Sequence, residues 1–248
     1  MRAGDFQLSI GICMPKALAI ETSGRVGSVA LAEGGGIVVE SEFPHGLKHA
    51  AGMIPIIEGL CRERGWLAAD LREVYVSAGP GSFTGLRIGI TVAKALALAT
   101  GAKIVAVPSV RVLAENAPAE AGHVIVVLDA KREQIFTARF ERCGGSWIER
   151  EAAHLDSLMG MVGRSPRPVY LIGEGIPFHQ KYICGGDSSI LLTGEGAWRA
   201  SAGVVARLGM EMGRKGQFAD PYRLIPIYIR APEAEEKRVA AEEAGKGR

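Results

Sequence analysis

Gly79-Pro80-Gly81-Ser82-Phe83-Thr84-Gly85-Leu86-Arg87-Ile88-Gly89-Ile90 is the stretch on which the reading of this chain turns. It follows an apolar, strand-like run, Val74-Tyr75-Val76-Ser77-Ala78. Two glycines and a proline supply the backbone angles that a tight loop needs. Ser82 or Thr84 then caps the first turn of a helix, predicted to run to about Thr100 and to stop at Gly101. Within it Gly85, Gly89, Ala93 and Ala97 recur every fourth residue and form one line. A glycine inside a helix costs about 1 kcal/mol relative to alanine, a cost more easily tolerated where another backbone comes close. Leu86, Ile88, Ile90, Val92, Leu96 and Ala99 surround that line, and the polar stripe is Arg87, Thr91 and Lys94. Roughly two thirds of the circumference is apolar, more than one sheet can cover. The pattern fits a central helix buried inside one domain, or a helix shared with a second subunit.

Upstream, Ala17–Ile20, Val26–Ala32 and Ile37–Phe43 read as three strands joined by the turns Glu21-Thr22-Ser23-Gly24 and Gly34-Gly35-Gly36, an antiparallel meander. His45–Gly65 has helical spacing, with Leu47, Ala50, Ile54, Ile57 and Cys61 on one face and Met53, Ile56 and Leu60 beside it. Pro55 inside this helix predicts a bend. Strands at Val74–Ala78 and Ile104–Val107 bracket the glycine-led helix, and a short helix follows from Pro108 or Ser109 to Glu115. Strand, strand, strand, helix, strand, helix is the order of a ribonuclease-H-like half-domain of actin-like proteins.

The second half echoes the first less clearly. Strands are predicted at His123–Leu128, Gln134–Arg139, Trp147–Ala152, Arg167–Ile172 and Ile190–Leu192. Helices are predicted at Leu155–Val162, Ile176–Ile183 and Ala197–Arg214. The element order makes the expected fold class α/β and suggests an actin-like ATPase (ribonuclease-H-like) fold of two lobes, each a mixed sheet with flanking helices. The expected divisions are an N-terminal extension (1–15), a first lobe with interface helices (16–108), a second, reduced lobe (109–220), and an extended segment with a frayed charged tail (221–248).

The 248 residues carry a net charge of +2 and 23% charged residues, which is not the strongly basic face of a protein that holds nucleic acid by itself. Cys13, Cys61, Cys143 and Cys184 are scattered and read as reduced cytoplasmic thiols. No apolar run approaches the roughly 20 residues of a membrane span, and no signal peptide is visible. Met14, just before the first strand, is a candidate alternative start.

Chemical signals are sparse. The glycine loop lacks the lysine of a P-loop and the spacing of a dinucleotide fingerprint; Arg87 is its nearest cation, and a helix N-terminus still attracts anions. Thr22, Ser23, Gly81, Ser82 and Arg87 are the candidate nucleotide-binding residues. Glu21-Thr22-Ser23 reads either as a capped hairpin turn or as the first phosphate and magnesium turn of an actin-like ATPase. His45 and His49 have a helical metal-pair spacing but no evident third ligand. His123, His154 and His179 stand apart, and Asp129, after a buried strand, reads either as a catalytic carboxylate or, more simply, as a turn residue of a charged hairpin.

With those residues set out, the chain resembles the TsaB (YeaZ) family of tRNA threonylcarbamoyladenosine biosynthesis proteins. The resemblance rests on Leu18-Ala19-Ile20-Glu21-Thr22-Ser23, His49 with Ile54-Pro55-Ile56-Ile57, the run from Gly79 to Gly89, Ala93-Lys94-Ala95-Leu96-Ala97, Val107-Pro108-Ser109, Leu128-Asp129-Ala130-Lys131-Arg132 and Pro226-Ile227-Tyr228-Ile229-Arg230. It spans about residues 16–232. Glu21 departs from it, since aspartate is expected there. The resemblance implies a non-catalytic scaffold subunit that supports its paralogue TsaD, together with the ATPase TsaE. The product is N6-threonylcarbamoyladenosine at position 37 of tRNAs reading codons that begin with A. It also implies a cytoplasmic protein that pairs with TsaD or with a second copy of itself and meets tRNA only through the complex. The expected interface is Leu47, Ala50, Met53, Ile54, Ile57, Gly85, Leu86, Gly89, Ile90, Ala93 and Ala97. No cofactor is expected in this chain alone, with room for ATP or ADP at a subunit junction, and no metal or catalytic residue. The His-x-x-x-His pair by which TsaD holds its metal has no counterpart in Ser109–Glu115. The competing reading is a stand-alone actin-like ATPase or metal-dependent glycoprotease.

Overall fold

The structure, a computed structural model, describes residues 15–44, 50–183 and 187–230. Strand β1 (Ala17–Glu21) is buried along its whole length. β4 (Glu73–Gly79) and β5 (Lys103–Pro108) join it as parallel neighbours. Strands covered on both faces need near-continuous apolar runs, and these three have them apart from the buried Glu21 at the end of β1 and Ser77 within β4. On the other side of β1, β2 (Val26–Glu33) and β3 (Gly36–Pro44) pair antiparallel. Their two-residue link, Gly34-Gly35, has positive φ at both positions, as a tight hairpin of right-twisted strands requires. The sheet order is β3-β2-β1-β4-β5.

The second sheet repeats this plan with a different sequence. β6 (His123–Asp129), β7 (Ile135–Cys143) and β8 (Ser146–Asp156) form the meander. β9 (Val169–Ile172) and β10 (Ile190–Leu192) add in parallel, in the order β10-β9-β6-β7-β8. Three antiparallel strands followed by two parallel ones, twice over, is the tandem ribonuclease-H-like arrangement of the actin-like fold.

Alternation along the strands splits each sheet's side chains between two layers. On the first sheet Leu18, Ile20, Val29, Leu31, Val74 and Val76 point to one face, which carries α1 (Ala50–Glu63) and α2 (Phe83–Thr100). Ala17, Ala19, Ala30, Ala32 and Tyr75 point to the other, covered by α6 (Ala202–Arg214). The second sheet carries α3 (Ser109–Ala114) on one face and α4 (Leu158–Gly163) with α5 (Ile176–His179) on the other. Each fully buried Leu, Ile or Val contributes about 1.5–3 kcal/mol relative to exposure.

Three expectations are corrected. The helix expected from Leu155 begins at Leu158, because β8 continues to Asp156 and Ser157 caps the turn by accepting from the Gly160 N–H. The helix expected from Ala197 begins at Ala202, where Ser201 accepts from the Val204 N–H. That helix, assigned to residues 109–220 of the second lobe, lies instead on the first sheet, so the chain returns to the first lobe before its end. α2, at 18 residues and a mean hydropathy of 1.3, is also long and apolar enough to cross a membrane. A count of consecutive apolar residues misses this; here the helix lies across β1, β4 and β5.

After α6 the chain runs extended over the molecule. Ala219 donates to Ile104 O at 2.8 Å and Ile227 to Ala78 O at 2.7 Å. Arg230 reaches the second lobe, donating to Ala130 O at 2.7 Å and to Gln134 Oε1. This strap ties the glycine loop of one lobe to the β6–β7 turn of the other. The expected N-terminal extension and charged tail, Met14, Leu47, and the His45/His49 pair lie outside the described residues.

Candidate functional site

The glycine loop folds against the β1–β2 turn. The Ser82 N–H donates to Ser23 O at 2.7 Å, and the Ser82 hydroxyl caps α2 by accepting from the Gly85 N–H at 3.2 Å. A Cβ built on Gly81, Gly85 or Gly89 would come within 3.0 Å of Ser23 O, Thr22 O and Thr22 Oγ1 respectively. The small-residue line therefore faces the chain's own first strand. Gly85, Leu86, Gly89, Ile90, Ala93 and Ala97, expected at a partner interface, are all buried inside this lobe. The physical reason is the close approach that glycine permits, used here between helix and hairpin. Met53 is buried too, and Ile57 nearly so. Ala50 opens α1.

The face of α2 left to solvent carries a different pattern. Thr84, Thr91, Ala95 and Leu98 are exposed and Ile88 is half-buried. Their spacing alternates four and three residues, the seam of a helix-to-helix contact, and the seam contains no charge. Beside it, α1 presents Ile54, which is 45% exposed, and Leu98 is 54% exposed. Between the helices lies a groove of about 520 Å³, with Ile54, Ile57, Cys61, Trp66, Leu67 and Leu96 on its walls and Glu58 and Arg62 at its rim. The seam residues escaped the sequence reading because Arg87, Thr91 and Lys94 suggested a polar stripe there. The 84-88-91-95-98 heptad spacing was the signal that could have found them.

Arg87 and Lys94 do not belong to that seam. The Arg87 guanidinium lies 3.9 Å from the Phe83 ring, and its Nε donates to the Tyr228 hydroxyl at 2.9 Å. Lys94 donates to Leu224 O at 3.3 Å. Both cations hold the strap.

The cleft between the lobes is the second candidate. A cavity of about 220 Å³ is lined by Ser23, Gly24, Arg25, Gly81, Ser82, Asp129, Glu174 and Phe178, among others. Of the five candidate nucleotide residues, Ser23, Gly81 and Ser82 line it, Thr22 is buried beneath α2, and Arg87 sits with the strap. They do not converge. Asp129 Oδ1 accepts from the Lys131 N–H and lies 3.3 Å from Nε2 of the buried His179, a pairing that sequence separation concealed.

Glu21 ends β1 with no exposed surface. Its Oε1 accepts from the Ser23 N–H at 2.5 Å, whereas Oε2 has no hydrogen-bond partner among the described residues. Burial pushes its carboxyl above the ordinary value, and the nearby Glu174 charge adds to that, against the hydrogen bond from Ser23. A raised folded pKa means that the stability from the neutral group is complete below pH 4.5 and drains as pH rises towards the folded value. Glu21→Gln, which does not titrate, should match the parent protein near pH 4. Above that it should become the more stable form by about 1.4 kcal/mol per pH unit until the folded pKa is passed. Denaturant melts across pH 4–8 check this; a gap that stays constant with pH would contradict it.

The fold defines an actin-like, two-lobed protein whose helix α2 leaves an uncharged row, Thr84, Ile88, Thr91, Ala95 and Leu98, on its outer side. The chain matches the family model "TsaD: tRNA N6-adenosine threonylcarbamoyltransferase" over residues 25–182, more than half its length. It is 28% identical over 234 residues to the tRNA threonylcarbamoyladenosine biosynthesis protein TsaB of Bacillus subtilis, covering 91% of this chain and 98% of that one. To TsaB of Escherichia coli it is 30% identical over 140 residues, 55% of this chain and 60% of that one. A Pseudomonas aeruginosa structure described as an uncharacterized protein with similarity to peptidase YeaZ superposes with a TM-score of 0.74 at 23% identity. That match covers 88% of this chain and all of the other, and it shows the shared fold. The chain belongs to this threonylcarbamoyladenosine family, on its TsaB (YeaZ) branch.

Proposed function

We propose that this chain is an accessory subunit in the formation of N6-threonylcarbamoyladenosine on tRNA, which lends its α1/α2 face to a catalytic TsaD-type relative. The observation that carries this is the uncharged Thr84, Ile88, Thr91, Ala95, Leu98 seam beside an apolar groove. Such a surface gains free energy when a second helix pair covers it, at about 25 cal/mol per Å² of apolar area. A second copy of the chain would compete for the same face. The position expected from the family resemblance to hold a metal in TsaD supports a non-catalytic role. Here it is α3, whose Val110, Val112 and Leu113 are buried in the core and whose Ser109 hydroxyl accepts from the Gly79 N–H at 3.1 Å. In this reading TsaE and the tRNAs reading A-initial codons meet the chain only as parts of the complex, in the cytoplasm.

The test is transfer of the threonylcarbamoyl group from its adenylate to tRNA, with the cognate TsaD-type subunit alone, this chain alone, and both with TsaE. The chain alone should form no product, and its omission should abolish multiple turnover. Modified tRNA made by the chain alone would contradict the proposal.

A further inference from the structure

The actin-like fold implies a nucleotide in the cleft between its lobes, and the residues of this cleft fit one poorly. The cavity, about 220 Å³, falls below the roughly 300–1,000 Å³ of small-molecule sites. Asp129 and Glu174 bring carboxyl groups to its walls, where phosphates would need donors and cations. Arg25, the cation on its lining, has its guanidinium 4.9 Å from the Phe178 ring of α5.

Glu174 stands at the centre of this mismatch. Both of its carboxylate oxygens accept from the backbone N–H of Arg25, at 3.0 and 3.2 Å, although the two residues are 149 positions apart. A Cβ on Gly24 would come 3.3 Å from Glu174 Oε1, so the carboxylate lies directly against the β1–β2 turn. Its own loop is fixed: the Gly175 N–H donates to Val127 O at 2.9 Å, and a Cβ on Gly173 or Gly175 would come within 3.0 Å of the Val127 backbone. The second lobe thus presents a rigidly mounted anion to the turn where the fold would otherwise receive a phosphate.

We infer that Glu174 is an internal anion that occupies the phosphate-facing turn at Gly24-Arg25 and latches the two lobes together in place of a nucleotide. The N–H of Arg25 is the anion's donor, and Arg25 stacked on Phe178 is the second point of the clasp. The strap, through Arg230 on Ala130 and Gln134, adds a second tie to the β6–β7 turn of the second lobe. The inference concerns the lone chain and stands apart from its proposed partner.

The experiment follows the Arg25 amide by NMR in the whole chain, for the parent protein, Glu174→Ala and Glu174→Gln. Hydrogen exchange at Arg25 should be at least about 10-fold faster in Glu174→Ala than in the parent, since local opening loses its closing bond. It should stay slow in Glu174→Gln, whose amide oxygen still accepts. Inorganic phosphate, and separately ADP with magnesium, at about 10 mM should leave the parent's Arg25 resonance in place. Phosphate should shift it in Glu174→Ala and, more weakly, in Glu174→Gln. Should Glu174→Ala not fold, the comparison of Glu174→Gln with the parent decides. Equal exchange in the parent and Glu174→Ala, or a phosphate or ADP shift in the parent as large as in the variants, overturns the latch.

Discussion

Gly85→Ala, the addition of one methyl group, is expected to destabilise the protein by about 3 kcal/mol, the upper end of overpacking costs. For a domain of this size that corresponds to a fall of about 6–12 °C in Tm. The new Cβ would fall within 3.0 Å of the Thr22 carbonyl oxygen, and backbone on both sides leaves nothing flexible to yield. The hairpin turn or the first turn of α2 must move, and each is tied to the other through Ser82 and Ser23. Gly59→Ala in α1 is the matched control. Nothing lies within 4 Å of a Cβ there, so the usual helix preference for alanine should raise stability by about 1 kcal/mol. The same substitution with opposite signs on two neighbouring helices separates a packing glycine from a merely tolerated one. Thermal melts of both check this, and a neutral Gly85→Ala would remove the account of the small-residue line.

The second large effect lies on the opposite side of α2. Ala95→Glu combined with Leu98→Glu should leave Tm within a degree or two, because both side chains are exposed and surface changes usually stay within about 0.5 kcal/mol. Binding to the TsaD-type subunit should weaken by about 100-fold or more, the equivalent of about 3 kcal/mol. Two carboxylates placed on a seam free of charge must be desolvated without partners when the seam is covered. Titration calorimetry measures the loss, with circular dichroism to show that the fold persists. Gly89→Leu cannot serve this purpose, since it would strike Thr22 inside the lobe before any partner was involved.

These two positions show what the sequence could and could not reveal. The order of strands and helices, the cap at Ser82 and the stop at Gly101 were legible because each has a local cause: alternation, capping chemistry, or a left-handed backbone. The line of Gly85, Gly89, Ala93 and Ala97 was equally visible, but a close approach does not say to what. Only the placement of Thr22 by the hairpin decides that the partner backbone is internal. The placement of α6 on the first sheet depends on a non-local return of the chain that no periodicity records. The same holds for the cleft. Arg25 and Glu174 are unremarkable residues in unrelated segments, and their meeting follows from the docking of two lobes.

In the proposed assembly the outer face of α1 and α2 docks a catalytic paralogue. The most direct test is the molar mass, by light scattering on a sizing column, of this chain mixed with its cognate TsaD-type subunit. The account predicts a stable heteromer in which one copy of this chain has displaced any second copy of itself. Two separate peaks at the masses of the unmixed proteins, or a heteromer unchanged by Ala95→Glu with Leu98→Glu, would contradict it.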